Sequence, residues 1–309
     1  MLALQPGEVF SSGLTRERFV SMSQKKRKDR KDGKYISDMN HLNKVLPYLL
    51  PGRIGNQVNY IASIDISSVL GYVRERKAID GNNVTFFSTL MAAVVRTGAM
   101  RPGLNRFIKG YRFYQKNDFE LGIVAKSQYS DDATRTIHKI KFDPSDNIFD
   151  VTDSIYKEIN ASRAGKLGGS NDTAVNFSKH SRFTNRLIFK VARFLDFHGW
   201  VPNSWISTDP YHSSIMVSNV GSFGIGTVDH HLTDWGTNSI ILIVGAIYDK
   251  IIHTDNDGFV LRPYVDLSFT IDDRVADGYY FGKSLALLTE ILNDPKGLEK
   301  KYIPAEEEK

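Results

Sequence analysis

Three aspartates crowd one arginine in the stretch Asp272-Asp273-Arg274-Val275-Ala276-Asp277-Gly278, where an apolar strand pattern (Val265, Leu267, Phe269, Ile271) gives way to a helical one. A carboxylate placed in this way can accept a proton as a general base. Aspartate is a poor strand former, so something must offset the cost of two of them closing a strong strand. Asp277 before Gly278 also suits a helix N-cap, because its side chain can accept from the first free N–H groups. Capping leaves Asp272 and Asp273 unaccounted for.

Ser218 is the second candidate. It ends the apolar strand pattern Ile215-Met216-Val217, and a hydroxyl at a strand end facing a cleft can donate to a developing oxyanion. Ser218-Asn219 is equally an ordinary turn opening. His230-His231 lies on a polar segment. Histidine titrates near neutral pH, so either ring is a candidate acid–base group, although neighbours on extended chain point apart and rarely share one metal. The glycines of Gly221-Ser222-Phe223-Gly224-Ile225-Gly226 are not in dinucleotide-binding order and no helix pattern follows, which favours a turn between strands. There are no cysteines, which excludes disulfides, a thiolate zinc site and a cysteine nucleophile. No metal is expected.

The elements that would position these residues can be read from periodicity. Residues 58–66 alternate as a half-buried strand, with Val58, Tyr60, Ala62, Ile64 and Ile66 on one face. A helix over 69–76 follows the capping pair Ser67-Ser68. Residues 85–100 are apolar nearly all round and predict a buried helix. Strands are expected at 107–114, 119–125 and 136–142, then an amphipathic helix over 148–164 and a flexible loop at 165–172. A helix over 181–197 places Leu187, Ile188, Val191, Ala192, Phe194 and Leu195 on one side. The remaining strands are expected at 213–218, 239–247 and 264–271, with Pro263 barring an earlier start of the last, and a final helix covers 279–292. Strands and helices mix without a strict βαβα rhythm, so the expected class is α/β with one large mixed sheet (α+β) covered by helices.

Net charge locates one more feature. The chain of 309 residues carries +5, and the run 25–34 alone has seven basic and two acidic residues, so the remainder is balanced. This predicts a solvated basic arm over residues 1–34, a folded unit over 35–303 and a disordered tail over 304–309. No basic stripe with interleaved aromatics continues elsewhere, so nucleic acid is not the expected partner. No apolar run approaches the ~20 residues of a membrane helix, and no secretory leader is visible, so no membrane partner and a cytoplasmic location are expected.

These residues carry a resemblance. Residues 265–278 resemble the closing motif of the catalytic domain of 2-oxoacid dehydrogenase acyltransferases, whose fold chloramphenicol acetyltransferases share. The family signature is His-Arg-Val-x-Asp-Gly, and Asp273 stands where the catalytic histidine belongs. Residues 217–224 and 239–247 are similar to the two preceding family strands, and 85–105 and 118–125 to its buried helix and following strand. The resemblance implies a chloramphenicol acetyltransferase-like two-layer sandwich assembled as a trimer, each active site lying between subunits. It implies a coenzyme A thioester as co-substrate and a small-molecule hydroxyl, amine or thiol as acceptor. By motif, Ser218 takes the oxyanion-stabilising place, Asp277 an architectural one and Asp273 that of the base, with Asp272, Arg274, Asn219, His230 and His231 nearby. Aspartate is the weaker base by ~2.6 pKa units, a few hundredfold in rate if fully expressed. No lipoyl domain or subunit-binding segment is recognised, so lipoamide is not the expected acceptor. The alternative is a catalytically inactive trimeric relative that binds acyl-CoA or a protein partner.

Overall fold

The structure is a computed structural model that describes residues 28–80, 83–126, 135–163, 178–253 and 258–303. Most of the expected arm, the loop at 165–172 and the tail at 304–309 lie outside these residues. In chain order the strands are β1 (Gly33–Tyr35), β2 (Gln57–Asp65), β3 (Arg106–Lys109), β4 (Arg112–Lys116), β5 (Phe119–Lys126), β6 (Arg135–Phe142), β7 (Ile215–Asn219), β8 (Ile240–His253) and β9 (Phe259–Asp272). The helices are α1 (His41–Leu49), α2 (Ser67–Asp80), α3 (Phe86–Met100), α4 (Ile148–Arg163), α5 (Arg182–His198), α6 (Asn203–Thr208) and α7 (Gly278–Asn293).

Six strands form the main sheet in the order β2-β9-β8-β7-β5-β6, and β1-β4-β3 form a small antiparallel sheet. The main sheet is mixed: β5, β7 and β8 run parallel to one another while the other pairings are antiparallel. One face is sealed by helices. Leu121, Val217, Leu242, Leu267 and Ile271 of the sheet are buried together with Leu90, Met91, Val151, Phe281 and Leu288 of α3, α4 and α7. The expected helix over 85–100 is therefore right in kind. Thr85 is its N-cap in a reciprocal pair with Ser88, and most of its residues are buried. The opposite face has only a small apolar cluster, Met216, Leu232, Ile241 and Ile243.

Three expectations are corrected. The segment 107–114 is not one strand but the β3–β4 hairpin. Gly110 and Tyr111 turn it with φ of +56° and +59°, and a side chain at 110 would meet the Phe197 carbonyl. The last strand starts at Phe259, not after Pro263. Pro263 pairs with Asp249 of β8, while its carbonyl accepts from Ile66 on the other side. Carbonyl and amide of one strand residue point the same way, so the missing N–H faces away from β8 and breaks no β8–β9 bond. Finally, the basic run is not all solvated arm. Arg30 is buried, and Gly33–Tyr35 pair with β4.

Candidate active site

Ser218 sits where the parallel trio opens. It is level with Val124 of β5 and Ile243 of β8, near the C-terminal ends of β5 and β7 but early in β8, and is half-buried on the face the helices leave uncovered. In front of it lies a cavity of about 1210 Å³ that is lined by Val124, Met216, Ile241 and Ile243 of that face and by Ser218, His230 and His231, and that reaches Phe87 of α3 and Ile155 and Ile159 of α4. Asn219 holds the turn behind Ser218. Its side-chain oxygen accepts from the Ser222 amide, and the Ser222 hydroxyl donates to its carbonyl. The glycine segment is the expected turn: a side chain at Gly221 would collide with the Gly245 backbone, and Gly224 has a φ of +73°.

His230 and His231 are exposed and border this cavity. Their rings do not point apart as extended chain would require. They stack, centroids 4.9 Å apart, and Nδ1 of His230 bonds the His231 carbonyl. The preceding Asp229 anchors the loop by accepting from Ser268 of β9. Behind it, the buried Arg53 binds the Thr233 and Gly236 carbonyls, and Lys109 binds that of Asp234. Among the described residues no group of three or more histidine, aspartate or glutamate side chains could hold a metal.

The three aspartates part company. Asp272 is buried and bound side-on by Arg274, with Nε 2.8 Å and Nη2 2.7 Å from its two oxygens; Arg53 Nε stands 3.8 Å away. Arg274 in turn donates to the Leu50 carbonyl. This ion pair offsets the cost of a carboxylate at the strand end. Asp273 is exposed, not buried between its neighbours, and its amide donates to the Asn56 carbonyl. Asp277 is the N-cap of α7, accepting from the Tyr280 amide at 2.7 Å, so on the single chain it caps rather than pairs with a charge.

Ser218 and Asp273 do not meet on one chain. Ile271 pairs with Ile240 and Ser218 with Ile243, while Asp273 lies two residues past Ile271 in the opposite sense. With ~3.3 Å per residue and ~4.8 Å between strands, the two are roughly 20 Å apart.

A second charged group was not found from sequence. Asp196, fully buried near the end of α5, takes Lys109 at 2.6 Å and Arg30 at 2.9 Å, with His212 Nε2 at 3.6 Å. His212 Nδ1 faces Asp209 at 3.0 Å, and Trp235 donates to the same carboxylate. Burial would raise the Asp196 carboxyl, but His212, Lys109 and Arg30 hold it well below the usual range. Burial opposes protonation of His212, and the Asp196 and Asp209 carboxylates outweigh it, so its pKa is raised. Lys116, bonded to the His212 carbonyl and the Thr237 hydroxyl, is lowered to about 8 by burial. This group fixes the segment leading into β7. The available signal was Asp196, the one carboxylate of the helix.

The fold and the sequence pattern agree on a class of protein. Residues 206–299 match the family model for the 2-oxoacid dehydrogenases acyltransferase (catalytic domain), a span that includes Ser218 and all three aspartates. The fold is that of acyltransferase catalytic cores. A probable dihydrolipoamide acetyltransferase from Listeria monocytogenes 4b F2365 superposes with a TM-score of 0.56 at 17% identity, over 88% of this chain and 98% of that one. The dihydrolipoamide acetyltransferase of Azotobacter vinelandii, studied for the roles of a serine, a histidine and an asparagine in its mechanism, gives 0.57 at 16% identity, over 96% and 99%. A truncated catalytic core of the 2-oxoacid dehydrogenase multienzyme complex from Thermoplasma acidophilum gives 0.52 at 19%, over 85% and 99%. No curated protein matches the chain.

Proposed function

We propose that this protein transfers an acyl group from a coenzyme A thioester to a small-molecule hydroxyl, amine or thiol, at a site completed by a second copy of the chain. One observation carries the reading: Ser218 borders a large cavity, while Asp273 of the same chain lies roughly 20 Å away on its surface. In a closed ring of three, Ser218 of one protomer faces Asp273 of the next. The uncovered surface supports such a contact. Beyond β2 the β8–β9 ribbon exposes Ile247, Ile251, Phe259 and Leu261, and β2 exposes Ile61 at 58%.

In this reading Asp273 accepts the acceptor's proton as its heteroatom attacks the thioester carbonyl. The Ser218 hydroxyl donates to the oxyanion that forms. Collapse then breaks the carbon–sulfur bond, and the departing thiolate takes the proton back from Asp273. His230, across the same cavity, is the second candidate base.

The exposure of Asp273 favours one alternative, an inactive relative that keeps the pocket for acyl-CoA binding or for a protein partner. Assaying acetyl-CoA turnover in wild type and Asp273→His separates the two. A transferase shows measurable wild-type turnover, and the histidine variant gains up to a few hundredfold. Thermal stabilisation by acyl-CoA without turnover supports the binding protein. A native mass of one protomer, with neither stabilisation nor turnover, rejects both.

A further inference from the structure

Helix α5 was expected to gather Leu187, Ile188, Val191, Ala192, Phe194 and Leu195 on one side, and the structure splits them: Ile188, Ala192 and Leu195 turn toward the body while Leu187, Val191 and Phe194 face outward. Its inner side carries the buried Ala192 and Asp196 with half-buried Ile188 and Leu195. The stripe Phe183, Leu187, Val191 and Phe194 faces outward at 77, 52, 48 and 54% exposure. These residues fall at i, i+4, i+8 and i+11, one edge of the helix. Beside them Arg182, Arg186, Lys190 and Arg193, all exposed, occupy an arc of ~80° at 100° per residue. The helix's one carboxylate, Asp196, is turned inward and spent on Arg30 and Lys109.

The surface continues past the helix. Trp200, just beyond it, is 60% exposed. Phe197 meets Tyr111 edge-on, Tyr111 stacks on Tyr48 of α1 at 4.7 Å, and α1 presents Leu42, Val45 and Leu49 to solvent. The aromatic chain Phe197–Tyr111–Tyr48 thus links α5 to α1, and each helix exposes apolar side chains.

We propose that this surface lies on an anionic lipid bilayer, with the stripe of α5 and Trp200 in the headgroup–acyl boundary and the four cations among the phosphates. Aromatic and aliphatic side chains beside a row of Lys and Arg, with no exposed acid, match an interfacial helix in both terms of its binding. A two-fold contact of this helix with its own copy sets cations against cations, while a contact with a different surface of a second copy is read out by native mass. No described helix is long and apolar enough to cross a membrane, but lying on one requires only a face. The expectation of no membrane partner, drawn from run length, did not address that case. The inference is independent of the transfer reaction.

The test is flotation of the full chain with phosphatidylcholine vesicles, plain or containing about 30% phosphatidylglycerol. Wild type is expected to bind the anionic vesicles roughly tenfold more tightly or better, and to release at high salt. Phe183→Ser/Phe194→Ser and Arg186→Glu/Lys190→Glu should each lose about tenfold of that binding. Their circular dichroism and melting temperature should stay unchanged, which shows that the loss is not unfolding. No binding by wild type, or binding kept by both variants, overturns the proposal. So does a fall in native mass in the Phe183→Ser/Phe194→Ser variant, which assigns the stripe to a contact between protomers.

Discussion

From Val265 onward the odd-numbered residues of β9 meet helices, while the even-numbered ones face away from them. Val265, Leu267, Phe269 and Ile271 lie in the main core, while Asp266, Ser268, Thr270 and Asp272 look the other way. The same strands therefore build a sealed apolar face and an open, partly polar one. Only a face that is not committed to the chain's own core can carry a hydroxyl such as Ser218 to a cavity and leave surface for another molecule. The contrast teaches that stability and chemistry are divided between the two faces.

Substitutions can break that division. Leu242→Ala, on the sealed face, should cost about 3–5 kcal/mol in urea unfolding, whereas Ile61→Ala on the open face should cost under ~1 kcal/mol in dilute protein. Equal losses would mean the second face is as structural as the first. Asp272→Asn should cost about 3 kcal/mol, because Arg274 and Arg53 lose their buried counter-charge, while Asp273→Asn stays within ~0.5 kcal/mol. A stability loss at Asp273 to match Asp272 would show that both aspartates are structural.

Ser218→Ala sharpens the functional half. Acyl transfer should fall ~100-fold, about 2.7 kcal/mol, with the melting temperature unchanged. The smallest expected effect is on pH dependence. The raised pKa of His212 means its contribution is fully present below ~6.5 and is lost as pH rises through its folded value. The lowered pKa of Asp196 means its contribution is present above ~3.9 and lost as pH falls through its folded value. Urea midpoints should therefore peak between these limits, and His212→Gln should flatten the alkaline side.

Much of the fold was legible because it rests on local periodicity. Alternation along 58–66 and the all-round apolar stretch 85–100 gave the edge strand and the central helix nearly as they stand, and 264–271 gave the half of β9 that lies in the core. Asp277 as an N-cap and the glycine turn at 221–224 were readable for the same reason, since each is decided by a few adjacent residues. What failed was non-local. The destination of Arg30 in a basic run depends on Asp196, more than a hundred residues later. The stacking of His230 on His231 is a geometry that no spacing announces.

By itself the sequence determined that Ser218 closes a core strand and that a carboxylate stands at residue 273, because residue types and short-range order suffice for both. Only the tertiary structure decided that adjacent Asp272 and Asp273 have opposite surroundings and that Ser218 and Asp273 are far apart on one chain. It also decided that the apolar stripe of α5 faces outward. The reason is physical: periodicity says that a face is apolar, but what covers that face depends on where distant strands and helices come together.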